Sequence, residues 1–561
     1  MRKMGFKEYL QKKQQDKFDK HFEKWLQNNS LNVNALINFK GILDKDLFTK
    51  RIQEYQTWST GNSLLIRYFY QNSGIADGLS YFWSLAPDGV IKKHTGIPML
   101  ASSAMANILI GGGFDINTKV YTVDEEGKTT NTVNEAMSAA VKDQIDILFQ
   151  KTEMRNKLHD QAFIDSWCGH SFLKFNYDLS LSEYPIITVY DLTKARVVKD
   201  KGITTAIIFS SWYEWKNRKY RNDEIYTTDN NGDATILTKL YQLEQGQEIE
   251  VELSKTPYTA NLLPEFHFVG LKGMIAFEKP NKLPNSEFPH SYYGASDYQG
   301  ATDSFDGMDE IFSEFCNETR SNKTIRYIPN SMVPRDTRGN ADPQFMKFVT
   351  NYVKTENDQD QGANNTMSIQ EINDKTDSLK SKFDKYLCLA LNHFGLSPLA
   401  IGTTGLEAIN ASDNSQKERN RVTIETRKAR LTNYWIPYLK NMITQLVSFN
   451  NWLLKTAGAK QDAVTPVDVD FDNLDITFDF GEYVVENPDS VYTRVASAKQ
   501  SGIMSIEQAV KEIHPEWTDD QITEEVTKIK FENNIGVDDP TLLQMDETLL
   551  DDETKERGII E

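Results

Sequence analysis

The chain is poor in the patterns that mark most enzymes and membrane proteins. Its 561 residues include only three cysteines, Cys168, Cys316 and Cys388, far apart and in no CxxC pair. That spacing excludes a zinc ribbon or dithiol redox couple and predicts three small, buried apolar residues. The eight histidines form no HExxH or HxH, and no GxSxG precedes a helix, so neither a zincin nor a serine hydrolase has an anchor. No run approaches the roughly 18 uncharged apolar residues of a membrane span. The lysine-rich start, MRKMGFKEYLQKKQQDKFDKHFEKW, has no apolar centre that could act as a secretory signal, so the chain is expected to stay in the cytoplasm where it is made and to have no membrane partner.

Two motifs fail on inspection. Glu126-Gly127-Lys128-Thr129 looks like the end of a phosphate loop, but Thr122 stands where GxxxxGK[ST] needs its first glycine. Asp468, Asp470 and Asp472 alternate like the start of a calcium loop, but Asn473 replaces its glycine and Asp479 its closing glutamate. Val467, Val469 and Phe471 interleave with them, so a half-exposed strand is the better reading. His170, near Cys168, reads as a core or turn histidine. No catalytic residue, metal or cofactor is expected.

What is present is enough apolar material for real cores, at 39% hydrophobic and 11% aromatic residues, spread over a length that suggests three to four domains. The net charge of −19 excludes a protein that grips phosphates over a large surface, because tight DNA binding needs many Lys/Arg neutralisations. Residues 1–24 carry net +4 and residues 534–561 net −7, read as solvated or frayed ends.

The periodicity predicts an α+β chain. A surface helix is expected over Lys7–Leu26, and Ile97 to Ile116 reads as a helix stopped by Gly111-Gly112-Gly113 before a strand. Further helices are predicted over Asn134–Thr152 and Met154–Cys168. After Gly169 the period drops to two, and HSFLKFNYD, PIITVYD, ARVVKD, TAIIFSSWYEW, EIYTT, ATILTKLYQL and QEIEVEL read as strands, with Asn230-Asn231-Gly232-Asp233 as a hairpin turn.

Gly294 to Leu406 is the most informative stretch. Ser304–Arg320 places Phe305, Met308, Ile311, Phe312 and Phe315 on one helical stripe and Asp303, Asp306, Asp309, Glu310 and Glu314 mostly on the other side. A polar, turn-rich insert with strand-like pieces follows, then a helix over Thr376–Phe394 closed by Gly395. A Gly/Thr-rich segment, LAIGTTGLEAINASDNS, opens onto about 42 helical residues from Asn414 to Lys455, roughly 63 Å long, with a kink expected at Pro437. Val464–Gly481 reads as strand. Three short helices end the pattern, with Ser505 and Thr518 as N-caps.

These segments, in this order, resemble the portal proteins of tailed double-stranded DNA phages, of the kind that infect Gram-positive bacteria. The resemblance covers roughly residues 35–535 and rests on IPMLASSAMANILIGGGFDI, the GHSFLKFNYD strand, NSEFPHSYYGASDYQGATDSFDGMDEIFSEFCNETRSNKTIRYIP, LSPLAIGTTG with SQKERNRVTIETRKARLTNYW, and SGIMSIEQAVKEIHPEWTDDQITEEVTKI. It implies a portal fold: an α/β wing (30–295 and 414–488), two stem helices (296–322 and 372–395), a small α/β clip (323–371), a tunnel loop (396–413) leading into the long wing helix, and a helical crown (489–535). The basic residues 1–29 and the acidic tail 536–561 are extensions.

The resemblance further implies a twelve-subunit ring at one capsid vertex of the virion, through which double-stranded DNA is packaged and ejected. The implied partners are the terminase large subunit, head–tail adaptor proteins, and major capsid and scaffolding proteins. In the tunnel loop, Gly402, Thr403, Thr404, Gly405, Asn410, Ser412 and Asn414 would meet the duplex with uncharged groups. Lys323, Arg326, Arg335, Arg338 and Lys347 make the clip locally basic, suited to adaptor or motor contact. A minor capsid component and a DNA-packaging enzyme are the competing readings, and the second would need a Walker loop that the sequence lacks.

Overall fold

The computed structural model describes residues 47–72, 81–85, 91–123, 129–244, 247–289, 291–321, 325–329, 352–355, 368–370, 376–401, 413–461, 464–467, 473–481, 488–514, 517 and 519–532. The chain divides into two compact units, residues 1–404 with 420–481 and residues 405–419 with 482–561. The class is α+β. The helix expected over Lys7–Leu26 and the acidic tail fall outside the described residues, as do Asp468, Asp470, Asp472, Thr518 and Glu126 to Lys128.

The first unit opens with helices α1 (Leu47–Ser59), α2 (Ser63–Asn72) and α3 (Ile97–Ala106), the last running into a π-turn over Asn107–Gly111. Strands β1 (Asp115–Val123) and β2 (Thr129–Val133) pair antiparallel, so Thr129 opens a strand and not the helix that a phosphate loop requires. In α4 (Glu135–Lys151), Asn134 caps the start by accepting the Met137 N–H, and Val141, Ile145, Leu148 and Phe149 form the buried stripe. Helix α5 (Met154–Cys168) ends at Gly169, and β3 (His170–Asn176) begins at once.

Strand β3 pairs with β4 (Ile186–Asp191) on one side and β11 (Ala276–Pro280) on the other. A larger antiparallel sheet runs β10 (Glu265–Lys272), β8 (Asp233–Glu244), β7 (Arg218–Thr228), β6 (Ile203–Trp215), β5 (Ala195–Asp200), with β9 (Gln247–Val251) on the far half of β8. The predicted Asn-Gly hairpin joins β7 and β8.

Helix α6 (Thr302–Ser321) leads toward a three-stranded sheet in which β12 (Ile325–Pro329) lies between β13 (Tyr352–Thr355), parallel to it, and β14 (Ser368–Gln370), antiparallel. Helix α7 (Thr376–Phe394) returns. After a 3₁₀ turn at Pro398–Ile401, the long helix comprises α8 (Asp413–Arg430), a π-turn over Leu431–Trp435, α9 (Ile436–Trp452) and a second π-turn ending at Ala457. The kink expected at Pro437 takes the form of that first π-turn. Proline has no N–H for the Asn433 carbonyl and its ring crowds that group, and the wider turn relieves the conflict while Ile436 donates to Leu431, five residues back.

Along α9, Leu439, Met442, Ile443, Leu446 and Val447 are fully buried, and Phe449 meets Phe175 and Phe268 at 6.0 and 5.9 Å, so this helix forms the spine of the core. Strand β15 (Leu474–Asp479) is shorter than the predicted Val464–Gly481 and pairs with β1, Asp115 opposite Asp479.

The second unit contains α10 (Pro488–Gln500), α11 (Ile506–Ile513) and α12 (Asp519–Glu532). Val510, Ile522 and Val526 form its small core with Ile506, Trp517 and Ile529 against them, and Ser505 caps α11 by accepting the Gln508 N–H.

Candidate functional site

The antiparallel pair α6–α7 is held by an apolar seam. Phe305, Met308 and Ile311 of α6 and Leu379, Leu387, Ala390, Leu391 and Phe394 of α7 are buried, at spacings of three and four that keep each set on one side of its helix. Each fully buried large side chain contributes roughly 1.5–3 kcal/mol. At the root, Phe394 lies between Tyr298, at 5.6 Å, and Phe305, at 6.4 Å.

The carboxylates of α6, expected mostly on the side away from the apolar stripe, divide into two sets. Asp303, Glu310 and Glu314 are exposed and lie on one side of the helix. Partial burial, then repulsion from Asp306 and Glu314, raises the Glu310 carboxyl above its ordinary value. Asp306 and Asp309 instead point inward and are buried. Asp306 accepts the Phe82 N–H at 2.9 Å. Asp309 accepts from the Trp83 indole (3.1 Å), the Thr95 N–H (2.9 Å) and the Thr95 hydroxyl (3.0 Å), and lies 2.8 Å from His94 Nδ1. Phe82, Trp83, His94 and Thr95 meet that side of α6 and give both carboxylates their partners.

An ionic cluster occupies the root of the pair. Asp297, fully buried, accepts both arms of the Arg430 guanidinium, Nη1 to Oδ2 at 2.9 Å and Nη2 to Oδ1 at 2.7 Å. Lys282 Nζ at 3.1 Å, Asn281 Nδ2 at 3.0 Å and Ser166 Oγ at 2.9 Å complete its shell. Burial lifts the Asp297 carboxyl, but the Arg430 and Lys282 charges and the Arg430 and Ser166 hydrogen bonds outweigh it and hold the group below its ordinary value. The same cations reach the end of α7, Arg430 Nη2 to the Phe394 carbonyl at 3.3 Å and Lys282 Nζ to the His393 carbonyl at 3.1 Å. Positive charge on the last carbonyls suits the helix dipole.

Beside it, Lys279 Nζ meets Asp165 Oδ2 at 2.5 Å and sits 3.9 Å from the Trp435 ring centroid, all buried. Arg430 and Trp435 are five residues apart, about 140° around an α-helix. The π-turn between them brings both onto the same cluster. Through Asp297, the cluster ties Ser166, Asn281, Lys282, Phe394 and Arg430 together across the chain.

Among the described residues no group of three or more His, Cys, Asp or Glu is gathered closely enough to hold a metal ion, and no helix is long and apolar enough to cross a membrane. Cys168 is buried as expected, but Cys316 is only half-buried and Cys388 is exposed, because it lies on the side of α7 turned away from the seam, next to Leu389.

Of the residues predicted to line a channel, Gly402, Thr403, Thr404, Gly405, Asn410 and Ser412 fall outside the described residues, and Asn414 lies in the first turn of α8. Of the basic insert residues, Lys323, Arg335, Arg338 and Lys347 also fall outside them. Arg326 stands on β12, opposite Tyr352 of β13 and Ile369 of β14. The sequence reading missed Asp297, Lys282 and Arg430, which no local motif connects. No protein-family model matches this chain, and no curated protein does either.

Proposed function

We propose that this protein is a portal-type ring subunit, which forms a channel at one capsid vertex for packaging and ejecting double-stranded DNA and docks the terminase motor and head–tail connector proteins. One observation carries the reading: two antiparallel helices, sealed by an apolar seam and rooted in an α+β body, with a small three-stranded sheet inserted between them and a long core helix after them. In the portal reading these are the stem, clip and wing, residues 402–412 belong to the tunnel loop, and 489–535 form the crown.

The charge pattern supports guidance without grip. Duplex DNA carries about one negative charge per 1.7 Å, and twelve copies of −19 amount to −228. Exposed carboxylates such as Asp303, Glu310 and Glu314 repel such a polyanion and keep it mobile. The chain hydrolyses nothing in this reading, and the packaging energy comes from the docked motor.

Negative-stain microscopy of the purified protein tests the proposal. The expected result is a ring with a central hole, seen in top views that allow subunits to be counted. A monomer with no perforated assembly under any condition overturns it, shell fragments favour a minor capsid component, and ATP hydrolysis by the protein alone favours a packaging enzyme.

A further inference from the structure

The paired helices join the body at two places, both at the same end. Gly300, φ 76°, precedes α6, and Gly395, φ 70°, follows α7. Such joints would ordinarily be soft, because a glycine with positive φ turns at little steric cost. Here both are closed by contacts that form one chain. A Cβ on Gly395 would stand 2.3 Å from Thr426 Oγ1 of the long helix, and one on Gly300 would stand 2.8 Å from His393 of α7. Arg430, one helical turn beyond Thr426, holds Asp297 on the chain entering α6 and the Phe394 carbonyl at the exit of α7. Lys282 repeats the bridge from the other side, to Asp297 and to the His393 carbonyl.

An ordinary helix cap would need one cation at the carbonyls of α7 and no partner on α6. Two cations that each bridge both attachment points do more. We infer that Asp297, gripped by Arg430 and Lys282, is a mechanical joint that makes the roots of α6 and α7 move as one body with the long helix. Displacement of α8 then reaches both helices together, through rigid contacts and not through the glycines. The joint does not depend on the channel reading: linked roots in a protein that forms no ring would keep the joint and discard the conduit.

Hydrogen–deuterium exchange with mass spectrometry on the full-length protein tests this. Arg430→Lys keeps the charge and loses the two-pronged grip, and Lys282→Gln removes the outer cation from a position 32% exposed, where folding survives. Exchange should accelerate about tenfold or more in Arg430→Lys, and less in Lys282→Gln, in residues 302–306 and 390–396 together, while β3 is unchanged. Gly395→Ala, which displaces Thr426, should also raise exchange at 302–306, although it touches only α7 and the long helix. Acceleration confined to 390–396 reduces the cluster to an end cap and overturns the inference, as does no change in either segment. If Arg430→Lys fails to fold, Lys282→Gln decides.

Discussion

Replacing Lys279 with methionine isolates the cost of an unpaired charge in this core. Lys279 and Asp165 are each 1% exposed and meet at 2.5 Å. Burial pushes the Asp165 carboxyl above its ordinary value and the Lys279 ammonium below its own, and each partner's charge opposes the shift in the other. Methionine matches the lysine stem in length and keeps the contact with Trp435, so little packing is lost. What remains is a buried carboxylate without its counter-ion, and removing one partner of such a pair costs roughly 3–5 kcal/mol. At about 1 °C per kcal/mol for a unit as large as residues 1–404 with 420–481, the melting temperature at pH 7.5 should fall by roughly 3–5 °C.

The same substitution has a pH signature. With its pKa raised further, the folded protein holds a proton on Asp165 that the unfolded chain releases, so acidification stabilises the variant relative to the parent. The deficit should shrink between pH 7.5 and 5. Adding Asp165→Leu removes the orphaned charge and should restore most of the loss. Thermal unfolding of the parent, the single and the double variant between pH 5 and 8 makes the measurement. A deficit that is constant with pH, or a double variant less stable than the single, would refute the electrostatic account.

Three further outcomes are expected. Phe394→Ala, at a fully buried position between Tyr298 and Phe305, should cost about 3–5 kcal/mol in denaturant unfolding and loosen the paired helices first. Burial lowers the His170 pKa, and although burial alone would raise that of Glu278, hydrogen bonds from His170, Lys199 and Thr204 bring it down to about 2. As pH falls below about 6.5 the unfolded chain binds a proton that His170 resists, and Glu278 adds a second loss between 4.5 and about 2. Melting temperature should therefore decline on acidification, with a flatter slope between pH 7 and 5 in His170→Asn. Under the portal proposal, shortening 402–412 should leave assembly intact in electron micrographs but reduce DNA filling in a packaging assay, and normal filling would count against a channel role for that segment.

The elements legible in the sequence were those with a long, uninterrupted period. Helix α7 occupies the predicted Thr376–Phe394, and α4 fills the predicted Asn134–Thr152 apart from the two end residues, which cap it. Strand β11 escaped because Lys279, buried against Asp165, and the half-buried Glu278, paired with Lys199, interrupt its short apolar run. Periodicity showed that α6 has a carboxylate side but not that Phe82, Trp83, His94 and Thr95 cover part of it, since Asp309 meets Thr95 across 214 residues. Arg430 and Asp297 are 133 residues apart, and nothing local to either announces the other. Cys388 was misassigned on the general burial preference of cysteine, which its place on the outer side of α7 overrides.

The pairing of β1 with β15 sets a timetable for the ribosome. Thr477 and Asn117 bond across 360 residues, and at about 5–20 residues per second the interval between their syntheses is on the order of 20 to 70 s. Throughout that interval β1 has only β2 beside it, with its other edge open to any passing strand. A nascent chain stalled before residue 474 cannot close this seam, and slowing translation of the final third should raise aggregation during expression.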